Sequence, residues 1–250
     1  MNKADQSGEI RAGLTEVDLK TDFGEIARQA TLEILREGKT KAKVRELAAN
    51  ANWFVGHVVA MIEKELGSHL ESVACQEGCR FCCYHQIITS PPEALLIEDY
   101  LVNNFTEHDW KGLIFRVRKN LRLIEGKDTN EILKTRHLLP CIFLRGNRCS
   151  IYPVRPMGCR AWSSNNVEQC RKGFESKDPL AGIGSYLHRQ RLSVAIHTGI
   201  LLGTQEMGLE SGFLDLVRAA KIIVNGDRDT LGKKWLEGER VFSSVMDYRL

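Results

Sequence analysis

The chain of 250 residues is 43% hydrophobic and 27% charged, the balance of an ordinary globular protein, which excludes disorder over its whole length. Its 35 lysines and arginines against 32 aspartates and glutamates leave a net charge of +3, too small an excess to mark a nucleic-acid surface by itself. Cysteine is the uneven residue: all eight, Cys75, Cys79, Cys82, Cys83, Cys141, Cys149, Cys159 and Cys170, fall between positions 75 and 170.

Residues 1–22 begin MNKADQSGEI, without the basic, apolar and small-residue order of a secretory signal, and read as a polar tail. No apolar run approaches the roughly 18 residues a membrane crossing needs, so no membrane span and a cytosolic location are expected. From Phe23 to Glu37 apolar residues recur at helical spacing, with Thr21 or Asp22 as cap and Gly38 as stop. A longer helical pattern runs from Lys41 to Leu66 and ends at Gly67. Residues 23–70 therefore read as an antiparallel helical pair, with His57 a partly buried core histidine rather than a ligand.

After the first cysteines, TSPPEALLIEDYLVNN places Ser90 as cap, Pro91 and Pro92 in the first turn, and Leu95, Leu96, Tyr100 and Leu101 along one stripe. A further helix is expected from Asp109 to Glu125, with the basic run Lys111, Arg116, Arg118, Lys119 and Arg122 solvated. Asn130 to Leu139 reads as a short helix and linker. CIFLRGNRCSIY then carries a hairpin signal at Gly146 and Asn147, followed by the proline-stiffened loop PVRPMGCR. Helices are expected again over 179–207, 212–224 and 231–240. The fold class is mainly α with a small cysteine-rich loop and β-hairpin module, residues 71–175, stabilised by metal. Residues 176–250 form a C-terminal helical segment, and the whole reads as one compact domain.

Eight clustered thiols in a reducing compartment are poorly explained as four disulfides, and a chain of this length buries a core without such staples. Four cysteines within CQEGCRFCC, with Gly78 for a tight bend, let thiolates converge from both limbs of a turn on a metal or cluster. Cys82 and Cys83 are adjacent, and in extended chain their side chains point apart. Each therefore serves a different centre, or one packs in the core. Cys141, Cys149, Cys159 and Cys170 form the second group. Four and four suggest two four-thiolate sites, or one cluster plus an ion with mixed ligands. His85 is the best non-cysteine candidate, with a surface histidine the favoured reading. Thiol-disulfide exchange through Cys79 and Cys82 is the remaining alternative.

CQEGCRFCC, the helix led by SPPEA, and CIFLRGNRCSIYPVRPMGCR together resemble the CxxCxxCC cysteine-cluster family, described as a zinc- or iron-chelating domain and elsewhere as an iron-sulfur-cluster-containing protein. The resemblance covers Cys75 to Cys170, and KKWLEGERVF looks like a tail found in some members. It implies that Cys75, Cys79, Cys82, Cys83, Cys141, Cys149 and Cys159 are ligands. Cys170 is less secure, because members carry their last cysteine soon after R-P-x-x-C-R. The three-residue gap from Cys75 to Cys79 also departs from the commoner two. The implied cofactor is an iron-sulfur cluster of 4Fe-4S type or iron, with zinc as the alternative.

A flagellin-lysine methylating enzyme looks similar in its cysteine cluster, which opens protein modification beside redox chemistry and a protein partner or substrate. The competing reading is a structural zinc protein acting as an interaction module. Arg155 and Arg160 flank Cys159 and are expected to stabilise an anionic cluster as cofactor-binding residues, or Arg155 pairs with a carboxylate to fix the loop. Trp162 and Tyr152 are expected to cover the site. His188 and His197, nine apart on one helix, face opposite sides and share no ion.

Overall fold

The computed structural model describes residues 22–67, 71–76, 78–176, 186–228 and 230–248. Helix α1 (Phe23–Arg36) begins where Asp22 Oδ1 accepts the Glu25 N–H at 2.9 Å. Helix α2 (Lys41–Leu66) is capped by the Thr40 hydroxyl and stops at Gly67, whose φ of +48° suits glycine. Both boundaries match the sequence pattern.

The closest partner of α1 is α8 (Leu187–Glu206), with α2 packed on α1, α8 and α3 (Pro91–Asn104). Gly199 and Gly203, one turn apart on α8, bring the two backbones together. A Cβ on Gly199 would lie inside the contact radius of the Gly24 carbonyl oxygen, and one on Gly203 would stand 2.7 Å from Thr31 Cβ. Thr31 is itself fully buried, its hydroxyl donating to the Ala27 carbonyl at 2.7 Å.

Helices α3 and α4 (Glu107–Ile124) continue the core through Ile97, Leu101, Trp110, Leu113 and Val117. Helix α5 (Thr129–Thr135) and a tight turn over 136–138 lead into the cysteine segment. There β2 (Leu144–Arg145) and β3 (Arg148–Cys149) form the expected hairpin. Gly146 and Asn147 take φ of +52° and +67°, as a two-residue turn matched to strand twist requires. Two short helices follow, α6 (Met157–Ala161) and α7 (Val167–Glu175). Ile142, Phe143, Ile151 and Met157 from this segment join the same buried cluster as the helices.

The C-terminal region departs from the sequence reading. Residues Phe213–Asp215 are a strand, β4, rather than the start of a helix. It lies between β1 (Ile88–Thr89) and β5 (Met246–Tyr248), antiparallel to both. Strands of two or three residues carry no readable periodicity, and long-range pairing decides them. Helix α9 (Leu216–Asn225) starts after the sheet, with Asp215 Oδ1 accepting the Arg218 N–H at 2.9 Å. Helix α10 (Leu231–Leu236) ends short of Arg240, and Gly238 with φ of +90° turns the chain away. Trp235 is fully buried and donates its indole N–H to the Glu210 carbonyl at 2.9 Å. The helix expected from 179 is described from Leu187 onward, and its first residues through 185 lie outside the described residues, as does the tail up to residue 21. His57 is exposed, not half-buried: it stacks on the exposed Trp53 ring at 4.8 Å, on the outer face of α2. Among the described residues no helix is long and apolar enough to cross a membrane.

The glycine contact between α1 and α8 makes a direct prediction. Gly199→Ala forces the helices apart and lowers unfolding free energy by about 2 kcal/mol, read by urea denaturation. Gly56→Ala on α2, where a Cβ meets nothing within 4 Å, leaves stability unchanged or raises it by up to about 1 kcal/mol.

Candidate metal centre

The cysteine loops are short of secondary structure, so side chains from the helices fix them. The main anchor is Glu93, in the first turn of α3 and 2% exposed. Its Oε1 accepts the Met157 N–H at 2.7 Å, at the start of the helix that carries Cys159. Its Oε2 accepts from the Thr89 hydroxyl at 3.1 Å and from the Ser90 N–H and hydroxyl at 3.2 Å. His197 Nε2, from the middle of α8, stands 2.9 Å from the same oxygen as an ion-pair contact, off the line of a directed hydrogen bond. One carboxylate thus joins β1, α3, α6 and α8. Burial pushes its pKa up, but the adjoining His197, the Met157 N–H and the Thr89 hydroxyl together hold it below the usual carboxylate range.

Helix α4 supplies the second anchor. Arg116 Nε donates to the Ile142 carbonyl at 2.5 Å, and Asn120 Nδ2 donates to the Pro140 carbonyl at 2.8 Å. Arg116 is therefore not part of a solvated basic face. The Cys141 N–H donates to the Cys83 carbonyl at 2.7 Å, tying the two cysteine segments directly. Arg80 reaches Asn147 Oδ1 at the hairpin tip at 2.9 Å, and Arg145 pairs with Asp109 at 2.5 Å. The Ala74 N–H donates to the Ser164 carbonyl at 2.9 Å, and the Ser164 N–H donates to Cys75 Sγ at 3.2 Å.

The result is one open cavity of about 640 Å³, lined by Cys75, Cys79, Cys82, Cys83, Cys141, Cys149 and Cys159. Cys170 is buried in α7 and is not in the wall. Cys82 and Cys83 lie in a tight 3-10 turn over residues 81–84, not in extended chain, and their thiols are hydrogen-bonded to each other. The thiols also group differently from their order in the sequence. Cys141, Cys149 and Cys159 lie near Cys82, so that a charge on one would disfavour a charge on the others, whereas Cys79 and Cys170 share Cys75 and Cys82 as neighbours. The hydrogen bond with Cys83 and burial raise the Cys82 pKa far above that of a free thiol. Burial pushes Cys141 up to about 12 and Cys159 and Cys149 upward as well. Buried thiols so placed resist ionisation until a cation replaces their protons. Among the described residues no three Cys, His, Asp or Glu side chains converge on a point at the spacing of one ion's ligands. They surround a space instead.

The two arginines expected at the cofactor have different surroundings. Arg155 faces the thiols and opposes the rise at Cys82, Cys149 and Cys159. Its guanidinium lies 4.2 Å above the Tyr152 ring, and its buried Nε has no partner among the described residues. Arg160 instead donates to the Arg155 carbonyl at 3.2 Å and the Pro153 carbonyl at 3.0 Å, bracing the loop. Tyr152 is 56% exposed, at the cavity wall rather than sealing it, while Trp162 is half-buried. His85 is half-buried rather than a surface residue, stacked on Trp162 at 4.6 Å and close to Arg136. Burial and that guanidinium lower its pKa to about 4, and it is not in the cavity wall. His188 contacts Glu63 at 3.2 Å, so the two histidines of α8 do serve separate carboxylates. Sequence reasoning took Glu93 only as part of SPPEA and left His197 outside the site, although a Ser-x-x-Glu capping pattern was there to read.

Residues 74–174 match the model of the CxxCxxCC family, described as "Putative zinc- or iron-chelating domain". That likeness supports metal binding by this segment of the chain. No curated protein and no solved structure matches the chain.

The buried Glu93 sets a testable pH dependence. Its lowered folded pKa means that its stabilising contribution is present above the unfolded carboxylate value, near 4.5, and is lost as pH falls through the folded value. Glu93→Gln is expected to cost about 3 kcal/mol at pH 7. In urea unfolding the gap between the two proteins narrows once the pH falls below about 4.5.

Proposed function

We propose that the thiol-lined cavity holds an iron-sulfur cluster, and that the protein uses it in redox chemistry, alone or coupled to modification of a protein partner. The carrying observation is the arrangement of the thiols around a space. A polynuclear cluster is wider than a single ion and takes its four cysteines from around its edges.

Cys82, Cys141, Cys149 and Cys159 are the proposed ligands. They face the same cavity, three of them come from the hairpin segment and the loop after it while Cys82 is tied to that segment through the Cys141 N–H to Cys83 carbonyl bond, and Arg155 lies among them. When bound, the cluster supplies one-electron chemistry. The chain's own part is to hold four thiolates, to offset their charge with Arg155, and to leave one side open. Arg160 positions Arg155 by binding its carbonyl. Cys75, Cys79 and Cys83 remain in the wall as outer thiols.

Serine substitution tests this assignment. After anaerobic purification, Cys82→Ser, Cys141→Ser, Cys149→Ser and Cys159→Ser each lose most of their metal and visible absorption, while Cys170→Ser retains both. Stoichiometric zinc in a colourless protein, retained in all five variants, would overturn the proposal. Arg155→Gln keeps the metal but lowers the reduction potential, because one cation near the cluster is removed.

A further inference from the structure

The first and last cysteines of the chain meet at one residue, Ser164. That serine is buried and is held by its neighbour, its hydroxyl donating to the Asn166 carbonyl at 3.2 Å and accepting the Asn166 N–H at 3.0 Å. Its backbone N–H donates to Cys75 Sγ at 3.2 Å, and the Cys75 thiol donates back to its carbonyl at 3.8 Å. Its side chain is hydrogen-bonded to the Cys170 thiol. One fixed residue therefore positions both sulfurs, although they stand at opposite ends of the matched segment 74–174. Cys79 is turned elsewhere, its sulfur taking the Phe81 N–H. Burial raises the Cys170 pKa, and of the other thiols Cys75 adds most to that rise, so the two lie within reach of each other's charge. Exposure divides the pair. Of the eight thiols Cys75 is the exposed one, while Cys170 is buried in α7, outside the cavity wall. A reachable thiol with a sheltered one beside it is the arrangement of an oxidation site and its resolving cysteine.

We infer that Cys75 and Cys170 form a reversible disulfide when a hydroperoxide oxidises Cys75, closing the cysteine module at both ends. The Cys75 sulfur attacks a peroxide oxygen: an S–O bond forms, the O–O bond breaks, and the leaving hydroxide departs as water with the thiol proton. The Cys170 sulfur then attacks the Cys75 sulfenic acid, so that an S–S bond forms, the S–O bond breaks, and a second water leaves with the Cys170 proton. The two thiols lose two electrons, and hydrogen peroxide gains them. Both thiols are outside the four proposed ligands, and on that reading they react with the metal centre in place. The full chain is purified anaerobically, its iron, zinc and sulfide are counted, and it is treated with stoichiometric hydrogen peroxide, alkylated, and digested without reductant for mass spectrometry. A Cys75–Cys170 peptide pair is expected, with a loss of two thiols per chain in denatured, chelated protein, both reversed by dithiothreitol. Cys170→Ser, with unchanged metal content and circular dichroism, stops at a Cys75 sulfenic acid that dimedone traps, and Cys75→Ser forms neither product. Absence of the pair overturns the inference, whether Cys75 joins Cys79 instead or Cys170 stays open to alkylation. Loss of the metal before the pair forms overturns it too. The same pair in zinc-loaded protein keeps the disulfide site and removes the iron-sulfur reading alone, whereas an intact cluster without the pair removes the disulfide site alone.

Discussion

The structure depends on one buried carboxylate. A loop with two prolines and little secondary structure cannot hold a metal ligand in place by itself, and its backbone N–H groups need partners wherever they are buried. Glu93 provides one for Met157 while the α3 start, the β1 threonine and His197 of α8 compete for its other oxygen. A charge so deeply buried is tolerated only when every side of it is occupied. That condition locks the position of α6, and with it Cys159, to the helices. The glycine contact between α1 and α8 then fixes the far side of the same helix that carries His197.

With the loop fixed, burial shapes the chemistry of the thiols. Cys141 and Cys159 sit where a free thiolate is costly, and their mutual repulsion adds to that cost. Arg155 works against it from within the group. A cationic centre shared by several thiolates removes the penalty for all of them together, which single protonated thiols cannot do.

The long elements were legible in the sequence. Asp22, Thr40, Gly67 and the SPPEA pattern mark their helix boundaries by local chemistry, and Gly146-Asn147 marks the hairpin for the same reason. The strands at 88–89, 213–215 and 246–248 were not legible, because pairing between distant segments makes them. Much the same contrast holds at the site. Spacing identified the cysteines as ligand candidates, but it grouped them by neighbourhood along the chain. Folding moves Cys82 toward the hairpin and Cys159, and Cys170 toward Cys75 and Cys79. His57 failed as a core residue because its place beside the apolar stripe of α2 could not reveal that it stays exposed, stacked on the Trp53 ring. Glu93 was visible as a capping residue, but its bond to Met157, 64 residues away, was not.

The claim that a cluster rather than a single ion occupies the thiol ring is tested most directly by counting iron and acid-labile sulfide in protein purified without oxygen. Iron and sulfide in equal number, about four of each per chain, is the predicted result. Metal bound in stoichiometric amount with no sulfide, whether zinc or iron, would contradict it.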